Sequence, residues 1–254
     1  MTTLESLLDE AVALVTEAGA MTLRWFQTSD LEVDAKADGS PVTVADRAVE
    51  AWLRDEIARR HPQDAVVGEE MSDSVGTSDR TWIIDPIDGT KSFARGVPLY
   101  STLLAVTDGD GPAVGVIGLP ALGSVVAAAR DLGCHADGSR CHVSPTATMA
   151  GACITMSGLE YLPPGLIDGL CAAGPLVRTW GDGYGWALLA TGRVDAMVDP
   201  GLNPWDVAAM NVIVPEAGGV VTDFAGAPLP RSGDVVGSNG PLHRDLLKVV
   251  SRRV

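Results

Sequence analysis

Basic residues are scarce in this chain: 18 lysines and arginines stand against 33 acids, a formal net charge of −15. So acidic a surface lacks the footprint for nucleic acid and repels an anionic bilayer, so neither is expected as a partner. An anionic ligand would need an added cation. Cysteine is also sparse, limited to Cys134, Cys141, Cys153 and Cys171. These show no CxxC spacing and no secreted-scaffold density, which predicts free buried thiols in a reducing compartment. No apolar run reaches membrane-spanning length, and the opening MTTLESLLDEAVALV carries acids where a signal peptide needs lysine or arginine. A soluble, cytoplasmic protein is the expectation. Internal repeats, low-complexity tracts and linkers are missing too. The segment GDGYG (181–185) lacks the full GxGxxG pattern of a dinucleotide site.

What is present suits a large buried core: 46% of the 254 residues are hydrophobic, with 29 glycines among the remainder. Residues 3–26 place Leu4, Leu7, Leu8, Val12, Val15 and Met21 at helical spacing behind a candidate cap, Thr3. A second amphipathic helix is predicted from Thr43 to Arg60, closed by Pro62. Strand-like runs follow at 65–68, 81–84, 102–107, 113–119 and 124–130, predicting a mostly antiparallel sheet that carries the two helices. GCHADGSRCHV (133–143) reads as a hairpin around Asp137-Gly138 rather than as a zinc site. After residue 143 short apolar runs such as ACITM and VDAMVD alternate with helix candidates such as PPGLIDGLCAAG and PLHRDLLKVVSRR, predicting a smaller α/β layer structure. Two halves, 1–142 and 143–254, with a cleft between them are the expected organisation.

Acids sit at the edges of apolar segments: Glu69 and Glu70 in VVGEE, Asp85 and Asp88 in WIIDPIDGT, Asp206 in NPWDVAAM, and Asp46 in TVADRAVE. Each has an ordinary structural reading, as a solvated turn or as a favourable charge on a helix N-terminus. Together they ask for more. Asp85 and Asp88 can aim both carboxylates into one bend, and like charges so close repel unless a cation offsets them. A hard divalent ion takes carboxylate and carbonyl oxygens, with the Ile87 carbonyl a candidate between the two acids. DPIDG lacks the DxDxDG spacing of a calcium loop, which favours magnesium. Gly89 and Thr90 then form a glycine turn entering a helix, a ready anion site with Lys91 nearby. Phosphate beside magnesium is the chemistry this predicts.

VVGEE, WIIDPIDGTKSFARGVP, NPWDVAAMNVIVPEAGGVVTD and TVADRAVE together resemble the inositol monophosphatase superfamily, over roughly residues 43 to 222. The resemblance implies an α/β fold, the layered αβαβα sandwich of the inositol monophosphatase and fructose-1,6-bisphosphatase type. It implies a magnesium-dependent phosphatase of small phosphorylated metabolites, with two or three ions per site and commonly a homodimer. Glu69, Asp85, Asp88, Asp206 and the Ile87 carbonyl match the metal ligands. Gly89 and Thr90 match the phosphate-binding turn, and Asp46 matches the acid that orients the attacking water with the threonine hydroxyl. The stretch from Arg178 to Asp206 is most similar to the histidinol-phosphate phosphatase branch: Asp182 stands where inositol enzymes carry serine, Asp199 where they carry glutamate, and Lys91 where they tend to carry threonine. This implies Asp182, Asp199 and Lys91 as substrate contacts, with a helix cap as the plainer role for Asp182. Trp180, Tyr184 and Trp186 are expected in the core. An inositol, sugar or nucleotide 3'-phosphate phosphatase is the alternative, and a non-catalytic binding module the remote one.

Overall fold

Thr3 accepts the backbone N–H of Ser6 at 3.2 Å and so caps the first helix, α1 (Leu4–Thr22), where a helix N-terminus lacks partners of its own. The structure, a computed structural model, describes residues 3–29, 31–36 and 39–251. Two three-residue strands, β1 (Val33–Ala35) and β2 (Pro41–Thr43), then pair antiparallel. Three residues are too few to show a period in the sequence. Thr43 caps α2 (Val44–Arg60) through a reciprocal capping box with Asp46.

The first sheet is built from β3 (Ala65–Gly68), β4 (Thr81–Asp88), β5 (Ser101–Asp108), β6 (Gly111–Leu119), β7 (Ser124–Ala129), β8 (Gly133–Ala136) and β9 (Ser139–Arg140), in that spatial order. β3 and β4 are parallel and every other pair is antiparallel, as the run of short connections predicts. Asp137 and Gly138, at φ 50° and 76°, make the two-residue turn between β8 and β9. A single helical turn, α3 (Thr90–Ala94), follows β4.

The second sheet has five strands in the order β11 (Leu176–Arg178), β10 (Cys153–Thr155), β12 (Ala196–Leu202), β14 (Gly233–Ser238) and β13 (Val220–Asp223). Its helices are α4 (Leu166–Ala173), α5 (Asp182–Ala190), α6 (Pro204–Val207), α7 (Met210–Glu216) and α8 (His243–Val250). Of the last predicted helix candidate, Arg252 and Arg253 lie outside the described residues.

Side-chain alternation stacks these elements into five layers. Leu104, Val106, Val114 and Val116 of the first sheet face α1 and α2, meeting Leu14, Val49 and Leu53. Their neighbours Leu103, Ala105 and Ile117 face the opposite way, onto α5 and α7 and toward Met197 and Val235 of the second sheet. The far side of the second sheet, with Ile154, Ala196 and Val236, packs on Leu166 and Leu170 of α4 and Leu246 of α8. The order is helix, sheet, helix, sheet, helix: the αβαβα sandwich. Burying each such aliphatic side chain fully contributes roughly 1.5–3 kcal/mol. The cysteines depart from expectation. All four are free, but Cys134 alone is buried, Cys141 and Cys153 are half-buried, and Cys171 is exposed on the outer helix α4. Among the described residues no helix is long and apolar enough to cross a membrane.

Candidate active site

In a regular strand, residues three apart point to opposite faces. β4 escapes this at its end, because the register slips between Asp85, paired with Leu103, and Asp88, paired with Ser101. The extra residue is a bulge that returns Asp88 to the side of Asp85. Asp85 steadies the bend by accepting the Ile87 N–H at 3.0 Å, while the Pro86 carbonyl accepts the Thr102 hydroxyl at 2.9 Å. Gly89 follows with φ +82°, a left-handed conformation that favours glycine, and turns the chain into α3. The Thr90 hydroxyl donates back to the Ile87 carbonyl at 3.0 Å.

Asp206 arrives from much later in the chain, third in α6, where Oδ2 accepts the Asn203 N–H at 2.7 Å. Oxygens of Asp85, Asp88 and Asp206 lie within 4.8 Å of one another. Glu69 follows β3 and shares with them a cavity of about 400 Å³, lined also by Ile87, Gly89, Thr90 and Lys36. Sequence reasoning missed Lys36, whose ammonium lies 2.6 Å from both Glu69 and Glu70. Burial works against its charge, but the hydrogen bonds to the two glutamates outweigh this and hold Lys36 above the ordinary lysine range. Buried Glu50, also missed, accepts the N–H groups of Glu70 at 2.7 Å and Met71 at 3.0 Å, pinning the loop that carries Glu69. No periodicity distinguishes Glu50 from a surface acid of α2; only its partner Arg54, four residues on, hints at it.

Asp46 spends one oxygen on its capping box, where Oδ2 accepts from the Thr43 N–H and hydroxyl; its Oδ1 is buried with no partner. Asp46 and Thr90 are therefore not bonded to each other. A buried carboxylate oxygen with no donor calls for a ligand or water. The donor set is all oxygen, and it fits a hard divalent cation rather than zinc.

A second cavity of about 380 Å³ adjoins the first through Asp88, Asn203 and Asp206. Asp182, Asp199, Ser157, Tyr161, Trp186 and Asp234 line it. Asp182 opens α5, yet Gly181 holds the cap position and makes no side-chain cap bond, so Asp182 is not the helix cap. Its backbone is left-handed at φ 53°, which aspartate tolerates better than most side chains. The carboxylate hangs over the Gly89 turn: a Cβ on Gly89 would lie 2.9 Å from Asp182 Oδ2. Asp199 is buried and accepts the indole N–H of Trp186 at 3.3 Å. Lys91 turns to Glu160, 3.1 Å away, and to the Tyr161 hydroxyl at the rim of this cavity. Trp186 is core, as expected, but Trp180 is exposed, with the Arg178 guanidinium 5.8 Å from its ring.

Burial followed by mutual repulsion governs these acids. Asp88 and Asp206 are each pushed up to about 7, by desolvation first and then by the charge of Asp182 on Asp88 and of Asp88 on Asp206. Asp182 and Asp199 reach about 7 through burial, with the charge of Asp199 acting on Asp182. Asp85 rises well above the carboxylate range, again by burial first, and Asp46 rises to about 6. Carboxylates in the unfolded chain titrate near ~4, so between about pH 4 and pH 7 the folded state binds more protons and stability falls as pH rises. Chelator-stripped protein should therefore melt at a higher temperature at pH 5.5 than, from these groups, at pH 7.5. A bound divalent cation favours the ionised acids and stabilises the native state by mass action, so millimolar magnesium should raise Tm most at pH 7.5. Scanning calorimetry checks both; a Tm indifferent to magnesium at pH 7.5 contradicts the cluster as an ion site.

Comparison with known proteins covers nearly the whole chain. The model of the inositol monophosphatase family matches residues 3–254. A histidinol-phosphatase of Mycobacterium tuberculosis is 42% identical over 246 residues, 93% of this chain and 95% of that protein. Another, from Chlorobaculum parvum, is 40% identical over 245 residues, covering 94% and 95%. The solved structure of an IMPase from Thermotoga maritima superposes with a TM-score of 0.89 at 33% identity, covering 97% of each chain.

Proposed function

The chain belongs to the inositol monophosphatase family, and from that premise we propose that it hydrolyses histidinol phosphate to histidinol and inorganic phosphate with magnesium as cofactor. It is a phosphoric monoester hydrolase. The observation that carries the choice of substrate is the pair of acids, half-buried Asp182 and buried Asp199, in the cavity beyond the phosphate turn. Histidinol presents an ammonium and an imidazole there, and each would offset a carboxylate that burial and repulsion disfavour.

Glu69, Asp85, Asp88, Asp206 and the Ile87 carbonyl would hold two or three magnesium ions. When bound, magnesium supplies Lewis-acid charge to the phosphoryl oxygens and to the departing one. The remaining work falls to the chain. The Gly89–Thr90 turn seats the phosphate. The Asp46 Oδ1, without a partner and on a carboxyl titrating at about 6, takes a proton from the attacking water, while the Thr90 hydroxyl oxygen fixes that water in line with the ester bond. As the phosphorus–oxygen ester bond breaks, the leaving oxygen takes up a proton from a solvent water, and histidinol departs through the second cavity. Lys36, 2.6 Å from both Glu69 and Glu70, sets a positive charge beside this acidic cluster.

Asp182→Ser keeps a small polar side chain and removes the charge. A charge-assisted hydrogen bond is worth about 1.5–3 kcal/mol, so kcat/KM on histidinol phosphate should fall by about ten-fold or more. Nitrophenyl phosphate, with no cationic group, should be little affected. Equal loss on both substrates would return the enzyme to a broader sugar or inositol phosphatase.

A further inference from the structure

The β8–β9 hairpin lies away from both cavities and carries two thiols that the hydrolase chemistry does not use. Cys134 precedes His135, which pairs with Arg140, so the register continues to Cys134 opposite Cys141. The Cys141 N–H donates to the Cys134 carbonyl at 3.0 Å, one of the two bonds of a hydrogen-bonded antiparallel pair, and their Sγ atoms lie 3.4 Å apart. Such pairs hold their Cα atoms about 5.5 Å apart, inside the range of about 4.4–6.8 Å that a disulfide accepts. Only the sulfurs need to close, from 3.4 Å to about 2.0 Å, a movement that side-chain rotation supplies.

We propose that Cys134 and Cys141 form a reversible oxidation site that reacts with low-molecular-weight disulfides and closes into a cross-strand disulfide. The two thiols divide the roles. Cys141 is half-buried and reachable, whereas Cys134 is buried in the core. Their contact, helped by the Arg140 charge, holds the Cys141 thiol below the ordinary range, and the same contact with burial pushes Cys134 up. Cys141 is therefore the entering thiolate. Its sulfur attacks one sulfur of oxidised glutathione, the glutathione disulfide bond breaks, and one glutathione thiolate leaves and takes a proton from water. Cys134 loses its proton and attacks the Cys141 sulfur, expelling the second glutathione. Two cysteine thiols are oxidised and one glutathione disulfide is reduced to two thiols.

The bond would staple the passage from the first sheet to the second. The backbone N–H groups of Asp131 and Gly133, at the start of the hairpin, donate to the Glu216 carboxylate at 2.8 and 2.7 Å, and the Val143 N–H donates to the Ala217 carbonyl at 3.0 Å. The hairpin thus clasps the C-terminal end of α7. Cys153 sits on another strand, β10, and exposed Cys171 on the outer helix α4.

The test uses the native full chain with Cys171→Ser, which leaves three of the four thiols, and exposes it to excess oxidised glutathione. Thiols titrated after unfolding should fall from three to one, peptide mapping should join Cys134 to Cys141 with no glutathione retained, and dithiothreitol should restore all three. Adding Cys134→Ala should trap glutathione on Cys141, and adding Cys141→Ser should leave Cys134 unmodified. Three thiols surviving in the folded protein, glutathione persisting on Cys141 when Cys134 is present, or a cross-link through Cys153 would overturn the assignment.

Discussion

Asp88→Asn is expected to lower kcat by on the order of a hundred-fold or more while the protein stays folded. Asp88 Oδ2 already accepts from the Ser101 hydroxyl at 2.7 Å and from the Gly183 N–H. A carboxylate can serve both donors with one oxygen and turn the other toward a cation; an amide has a single acceptor oxygen and must give up one task. The two donors hold that oxygen in place, so the NH₂ group faces the cluster. The shape of the side chain is unchanged and one of several crowded negative charges is removed, so the stripped variant should melt no lower than stripped wild type at pH 7.5. Circular dichroism and steady-state phosphate release measure the two effects. Wild-type turnover by the variant contradicts a role for Asp88 as a ligand.

Gly183→Ala is expected to cost a comparable amount for a different reason. A Cβ there would lie 2.2 Å from Ser101 Oγ, 2.9 Å from Asp88 Oδ2 and 3.0 Å from the Leu103 side chain. Overpacking of this kind costs about 1–3 kcal/mol of stability, and moving a ligand by about 1 Å can cost ~100-fold in rate. The nearest atom belongs to Ser101, so Ser101→Ala makes room. The double variant should recover part of the activity that Gly183→Ala loses, although Ser101→Ala alone removes a bond to Asp88. This non-additive sign separates a steric effect on Asp88 from general destabilisation. A double variant no more active than Gly183→Ala would place the damage elsewhere.

Most of the first layer of this fold is legible in the sequence. α1 and α2 have long apolar stripes with caps at Thr3 and Thr43, and β3 and the Asp137-Gly138 turn depend on local rules alone. What stays hidden is non-local. That Asp85 and Asp88 share one bend is read from their spacing, but the bulge that returns Asp88 to the side of Asp85 shows only in the pairing with β5. The strand thus runs on to Asp88, beyond the apolar run that predicts it. Lys36 lies between the two strands of a short pair with no period, so its meeting with Glu69 and Glu70 arises only from the packed fold. Asp182 reads as a cap in isolation, but left-handed backbone and the close approach of Gly89 give it another place. Lys91 beside the phosphate turn reads as an anion contact; Glu160 and Tyr161, about seventy residues away, draw it to the rim.

The most direct measurement compares phosphate release from histidinol phosphate, inositol 1-phosphate, fructose bisphosphate and a nucleotide 3'-phosphate, each with millimolar magnesium and after chelation. An acidic leaving-group cavity beside a cation site predicts magnesium-dependent turnover with kcat/KM for histidinol phosphate at least about ten-fold above the others, matching roughly 1.4 kcal/mol of preference for a cationic leaving group. Equal or better turnover of a neutral sugar phosphate, or hydrolysis of histidinol phosphate that survives chelation, would contradict the account.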